Sequence, residues 1–177
     1  MYKKYHEISD DDFERRSTNI DGKTIYFKEA VSQMIKQEFA ALAEKDCKFI
    51  FTCLILADTL LKKYMPGHSL KNYTAENLDF LIDLWNKNPK NFNCTETEFA
   101  TSIGSAFGHY VNKTLGSTWT VITHEYGTDF LCQIDHIMLR GFPFSSVLKA
   151  VNQKRENSLE HIVRMLKQQK EILVSEL

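Results

Sequence analysis

The hydrophobic period of the chain changes near residue 118, and this change constrains the fold more than any other feature. Between Phe49 and Leu115, apolar residues recur every three or four positions, as on one face of a helix. Residues 118–123 are instead rich in β-branched and aromatic side chains, which indicates a strand. Helical spacing returns after Pro143. The order of elements along the chain is helices, a small sheet, and helices again. This order predicts an α+β fold, because helices and strands would alternate in an α/β fold.

Four helices are predicted in the N-terminal half. Thr95 with Glu98 has the form of a capping box, and Gly116 is a typical residue after a helix end. N-terminal to the four helices, residues 19–22 form a turn signal, and the short β-prone run 24–27 follows it. The four helices are expected from about Glu29 to Glu44, after Lys45-Asp46 as far as Pro66-Gly67, from Thr74 to Asn88-Pro89, and from Thr95 to Gly116.

A small antiparallel sheet is predicted at about residues 117–141. Phe130, Cys132 and Ile134 alternate on one face of a second strand, and the connections are too short for parallel crossovers. C-terminal helices are expected from Pro143 and again after Asn157-Ser158. A chain of 177 residues can bury one sufficient core, so a single domain over residues 1–177 is expected.

Charge and composition favour a cytoplasmic protein and exclude several classes of partner. The 22 basic and 23 acidic residues form no basic arm, so no nucleic acid is expected as a partner. The longest apolar stretch, Phe49–Leu61, includes Asp58 and is too short to cross a membrane, and the N-terminus lacks a secretory signal. The four cysteines lack zinc-site spacing and are predicted to be free thiols.

No cluster of residues has the spacing of a catalytic or metal site. No two of the six histidines lie four residues apart on one helix, so neither a metal nor a cofactor is expected. An alternative remains in which His124 and His136 meet across the hairpin near Glu125, Asp129 and Asp135. Inert packing is expected for Cys132, and Ser145 and Ser146 lack a nucleophile-elbow pattern.

Two glycines inside the fourth helix, Gly104 and Gly108, indicate a close packing contact. Glycine in a helix interior costs about 1 kcal/mol relative to alanine, and this cost requires a compensating contact. A phosphate-binding loop is excluded, because no Lys-Ser/Thr pair follows and the glycines lie inside the helix. We therefore expect another element to approach this face.

The segment from Phe99 to Arg155, about a third of the chain, contains three motifs: Gly104-x-x-x-Gly108, Leu115-Gly116-x-x-Trp119, and Phe142-Pro143-Phe144-x-x-Val147-x-Lys149. With these motifs the segment resembles a small bacterial domain of unknown function. Domains of this kind occur alone or beside toxin and immunity genes. The resemblance implies structural roles only and supplies no catalytic residues.

These observations favour a non-enzymatic protein-binding module, of an immunity type or an accessory type. Residues 68–147 carry eight acidic and five basic side chains, which would suit a basic protein partner. The alternative is a small hydrolase or metal-dependent enzyme that uses His124, His136 and the nearby carboxylates. Exposed Tyr and Arg often anchor interfaces, so the recognition surface is predicted around the hairpin. Its residues are His124, Glu125, Tyr126, Asp129 and Arg140.

Overall fold

A computed structural model describes residues 13–20, 23–30, 37–124, 127–154 and 158–175, the first two ranges as backbone. The described residues fall into two compact units. One unit contains the residues up to Glu38 together with Thr123, His124 and Gly127. The other contains 39–122 and the residues from Thr128 onward. A single domain over 1–177 stays a prediction.

The first unit contains an antiparallel hairpin of two eight-residue strands, β1 (Phe13–Ile20) and β2 (Lys23–Ala30). Ile20 pairs with Lys23, so the connection has the two-residue length that a tight hairpin turn requires. Of the predicted turn signal at residues 19–22, Asn19 and Ile20 end β1, and Asp21 and Gly22 lie outside the described residues. The β-prone run 24–27 lies within β2.

The predicted helix Glu29–Glu44 is wrong. Glu29 and Ala30 end β2, and Glu38–Ala41 form a third strand, β3, which is exposed along its whole length. The helix is predicted from the helical spacing of Val31, Met34, Ile35 and Leu42, and the first three of these lie outside the described residues. Pairing of strands that are distant in sequence outweighs the weak local preference for a helix here.

Five α-helices occur in the described residues. Both predicted ends are confirmed for the helices that begin after Thr74 and after Thr95, whereas the helix predicted after Lys45-Asp46 begins earlier, at Glu44. In the capping box, the Thr95 N–H donates to Glu98 Oε2 at 2.7 Å, and Gly116 ends the same helix at φ 68°. No helix of the described chain is long and apolar enough to cross a membrane. The helices are α1 (Glu44–Tyr64), α2 (Ala75–Lys87), α3 (Glu96–Leu115), α4 (Pro143–Gln153) and α5 (Ser158–Ser175).

A four-stranded sheet has the order β3-β4-β5-β6. Its other strands are β4 (Thr118–His124), β5 (Gly127–Ile134) and β6 (Leu139–Gly141). β5 and β6 are antiparallel, with Cys132 opposite Gly141. Three of the four strands lie within the predicted range of 117–141. The α+β class, with helices on both sides of a small antiparallel sheet in the chain order, is confirmed.

α3 lies at the centre of the core and contacts both α1 and α4. Its Phe99, Ile103 and Phe107 are buried, and Phe99 stacks on Trp85 of α2 with ring centroids 4.3 Å apart. The expected close approach at the glycines is confirmed. Phe144 of α4 lies against Gly104, and Trp119 of β4 lies against Gly108.

Candidate functional site

Asp129 is held at the start of β5 by hydrogen bonds to both of its carboxylate oxygens. Its Oδ1 accepts from the N–H of Phe130 at 2.7 Å. Its Oδ2 accepts from Ser145 Oγ at 3.1 Å, which links β5 to the first turn of α4. The side chain is half-buried, and the two hydrogen bonds fix its orientation.

A cleft of about 350 Å³ opens beside Asp129, between the first turns of α3, the start of β5 and the first turns of α4. Two carboxylates and three hydroxyl groups line it, together with apolar side chains from α3 and α4. This combination of apolar walls with a few polar groups is typical of a binding site. The lining residues are Glu96, Thr97, Ala100, Thr101, Asp129, Phe144, Ser145 and Leu148.

Aromatic rings from three elements meet at the edge of this cleft. The ring of Phe144 lies 5.6 Å from that of Phe130 and 6.1 Å from that of Phe49, and Phe49 stacks on Phe130 at 6.1 Å. Phe49 remains 41% exposed and Leu148 remains 46% exposed. We call Phe49, Phe130, Phe144 and Leu148 the aromatic surface.

The position of Phe144 follows from local sequence features. Pro143 is the first residue of α4, where its fixed φ suits the helix and its missing N–H costs nothing. A Cβ on Gly104 would lie 2.8 Å from Phe144 Cδ1 and 3.1 Å from Phe144 Cα. Gly104 therefore allows α4 to approach α3 closely enough for Phe144 to reach both the cleft and the aromatic surface.

The structure places the predicted recognition residues in different surroundings. His124 ends β4, and Glu125 and Tyr126 lie outside the described residues. Asp129 lines the cleft. The Arg140 guanidinium instead packs over the ring of Phe39 at 4.2 Å. Arg140 also pairs with Gln133, which is about 13 Å along the strand from Asp129, so the structure does not bring these two site residues together.

The two histidines of the hydrolase alternative lie on either side of β5 in the chain. His124 precedes β5, whereas His136 lies in a short 3₁₀ turn after it, and the strand of eight residues between them is about 26 Å long. Burial raises the pKa of the Cys132 thiol, and this disfavours the nucleophilic thiolate. Within the described ranges, no three His, Cys, Asp or Glu side chains could together hold a metal ion.

Several residues of the cleft and the aromatic surface are not predicted from the sequence as site residues. Phe49 and Phe144 are spaced at helical intervals from core residues, so the sequence predicts that they lie on the buried apolar faces of their helices. Phe49, however, lies 100° from Ile50 around α1, at the margin of the buried face. Glu96 carries no distinguishing signal, because an acidic residue in a first helical turn is common. The position of Phe49 at the edge of the apolar stripe of α1 is the one feature of the sequence that indicates its partial exposure.

Comparisons of the chain with protein-family models, with curated proteins and with solved structures found no match. The resemblance of Phe99–Arg155 to a small bacterial domain stays a prediction. What the site can do therefore has to be inferred from its geometry and charge. These describe a pre-formed surface with an acidic cleft at its edge.

Proposed function

We propose that this protein is a non-enzymatic protein-binding module that contacts its partner through the aromatic surface and the adjoining cleft. One observation carries the proposal: rings from α1, β5 and α4 form a continuous, partly exposed apolar surface beside a polar cleft. Aromatic side chains next to a polar rim are typical of protein interfaces.

The rigidity of the aromatic surface supports this proposal. Phe144 contacts Phe49, Phe130 and Trp119, and Gly104 lies directly behind it. An aromatic side chain held by such contacts loses little conformational entropy when a partner covers it. Most of the free energy from burying its ring is then available for binding.

An immunity-type role is the specific form of binding that we propose, in which the module covers a functional surface of a basic protein. The resemblance of Phe99–Arg155 and the acidic excess of residues 68–147 support this form. Asp129, which belongs to the predicted recognition surface, lines the cleft beside the aromatic surface. Co-expression with a toxic protein encoded by a neighbouring gene should restore growth, and Phe49→Ala should abolish that protection.

A selection from a displayed library of random peptides tests the proposed binding and does not require the partner to be identified. We expect the immobilised protein to enrich related peptides whose affinity falls about thirtyfold for Phe49→Ala, as for an interface anchor worth about 2 kcal/mol. Phe51→Ala is the matched control, since Phe51 lies on another side of α1 and is 65% exposed. Affinities are measured by calorimetry on variants with unchanged circular dichroism.

Two results would overturn the proposed function. One is the absence of any enriched peptide family. The other is a family whose affinity is the same for wild type and Phe49→Ala, because the aromatic surface would then play no part in recognition.

A further inference from the structure

We infer that the cleft beside Asp129 binds the cationic end of a lysine or arginine side chain of the partner. This inference rests on the proposed function and names the chemistry of its contact. It uses three features of the cleft: its charge, its apolar walls and the fixed orientation of Asp129.

The charge of the cleft selects a cation. Glu96 and Asp129 come from different elements and line the same cavity, and none of the described residues that line it is basic. Glu96 is the first residue of α3, where the helix N-terminus stabilises its negative charge. Ser145 Oγ–H likewise donates to Asp129. An anionic ligand in this cavity would be repelled by both carboxylates, whereas an ammonium or guanidinium group would neutralise one of them.

The apolar walls select a cation on an aliphatic stem. Ala100 and Leu148 line the cleft, and the ring of Phe144 forms part of the same wall. The stems of lysine and arginine bury their methylene groups against such surfaces while the charged end reaches a polar group. A ring face near the cation adds a favourable cation–π interaction. A cavity of about 350 Å³ is at the small end of the range for ligand sites and suits one such side chain.

The hydrogen bonds of Asp129 leave it able to accept more. Each carboxylate oxygen has two acceptor positions, and each accepts one of the described bonds, from Phe130 N–H and from Ser145 Oγ–H. Because the carboxylate is already oriented, a cation can add a charge-assisted bond with little ordering cost. Asp129 is thus the side chain on which the inference depends most directly.

A nuclear magnetic resonance titration with small cations tests the cleft independently of any peptide. N-acetyl-lysine methylamide and its arginine analogue should shift the amide signals of Thr97, Ala100, Thr101 and Ser145 in a saturable way. N-acetyl-norleucine methylamide has a similar stem without the charge and should bind about tenfold more weakly. Asp129→Asn should reduce the cation affinity about tenfold. Glu76→Gln, the same charge change on the exposed first turn of α2, should not reduce it.

A double-mutant cycle on the selected peptides completes the test. Replacement of the lysine or arginine that the peptides share by norleucine should weaken binding about tenfold to wild type and little to Asp129→Asn. Equal losses for both proteins, or saturable shifts from norleucine equal to those from lysine, would overturn the inference. Peptides that depend on Phe49 but contain no basic residue would overturn the inference and leave the proposed function standing.

Discussion

The indole ring of Trp119 occupies the space in which a side chain at Gly108 would begin. A Cβ built on Gly108 would overlap Trp119 Cη2 and would lie 3.0 Å from Pro143 Cγ. The glycine in α3 thus permits contact with both β4 and α4. The close contact explains why the chain tolerates a residue that costs about 1 kcal/mol in a helix interior.

Gly108→Ala should therefore destabilise the protein by about 1–3 kcal/mol, since the rigid indole has to move by about 1 Å or more. Urea unfolding followed by circular dichroism measures this change. Trp119→Leu removes the indole that a Cβ at residue 108 would meet. The double variant should therefore lose less free energy of unfolding than the sum of the losses of the two single variants. Additive losses would show that the contact is not the cause.

Asp79 on α2 caps the first turn of α5, about eighty residues away in the sequence. Its side chain is 2% exposed, and its two oxygens accept from the N–H groups of Leu159 at 3.0 Å and Glu160 at 2.9 Å. Asp79→Ala should lower the free energy of unfolding by about 2 kcal/mol, because two backbone donors lose their acceptor. Asp79→Asn keeps one acceptor oxygen and should lower the free energy of unfolding by about half as much. Equal stability of wild type and Asp79→Ala would contradict this role.

The same carboxyl group should make stability depend on pH. Burial raises the pKa of Asp79 above its ordinary 3.8, with neighbouring Asp83 and Glu160 acting in the same direction and the two N–H donors opposing it. An acid whose pKa is raised by folding binds more protons in the folded state than in the unfolded state. Wild type should therefore lose free energy of unfolding relative to Asp79→Asn as the pH rises from about 3.8 through the folded pKa. Unfolding curves of both proteins at several pH values measure this difference, and a constant difference would contradict it.

The four cysteines are free thiols in the structure and should react at different rates. Cys47 is exposed, whereas Cys53 and Cys132 are buried. Burial also raises the pKa of Cys94, which is half-buried, and further lowers its thiolate fraction. We expect a thiol reagent to modify Cys47 first and Cys94 slowly. Cys53 and Cys132 should react only after unfolding. Mass spectrometry of peptides from timed samples measures the order, and an early modification at either buried thiol would contradict it.

The sequence predicts the helices better than the candidate site. α3 carries its own start and stop signals, because Thr95, Glu98 and Gly116 act within a few residues of the helix ends. β3 has no such signal. Its four residues are exposed, and it forms as an edge strand of the sheet beside β4, which begins 80 residues after β3 does. Asp129 was predicted as a recognition residue, but its neighbour across the cleft, Glu96, was not.

The order of the residues is enough to predict the α+β class, the ends of the central helices, and the positions at which glycine permits close packing. The class and the helix ends depend on hydrophobic period and on contacts between residues within about four positions of each other. The two glycines are recognisable because glycine is unfavourable in a helix interior. Three contacts are apparent only in the folded chain: Asp79 caps α5, Ser145 donates to Asp129, and Phe49 packs against Phe144. Each of these contacts joins elements that are distant in sequence, and the packing of α1, α2 and α4 around the core decides which side chains meet.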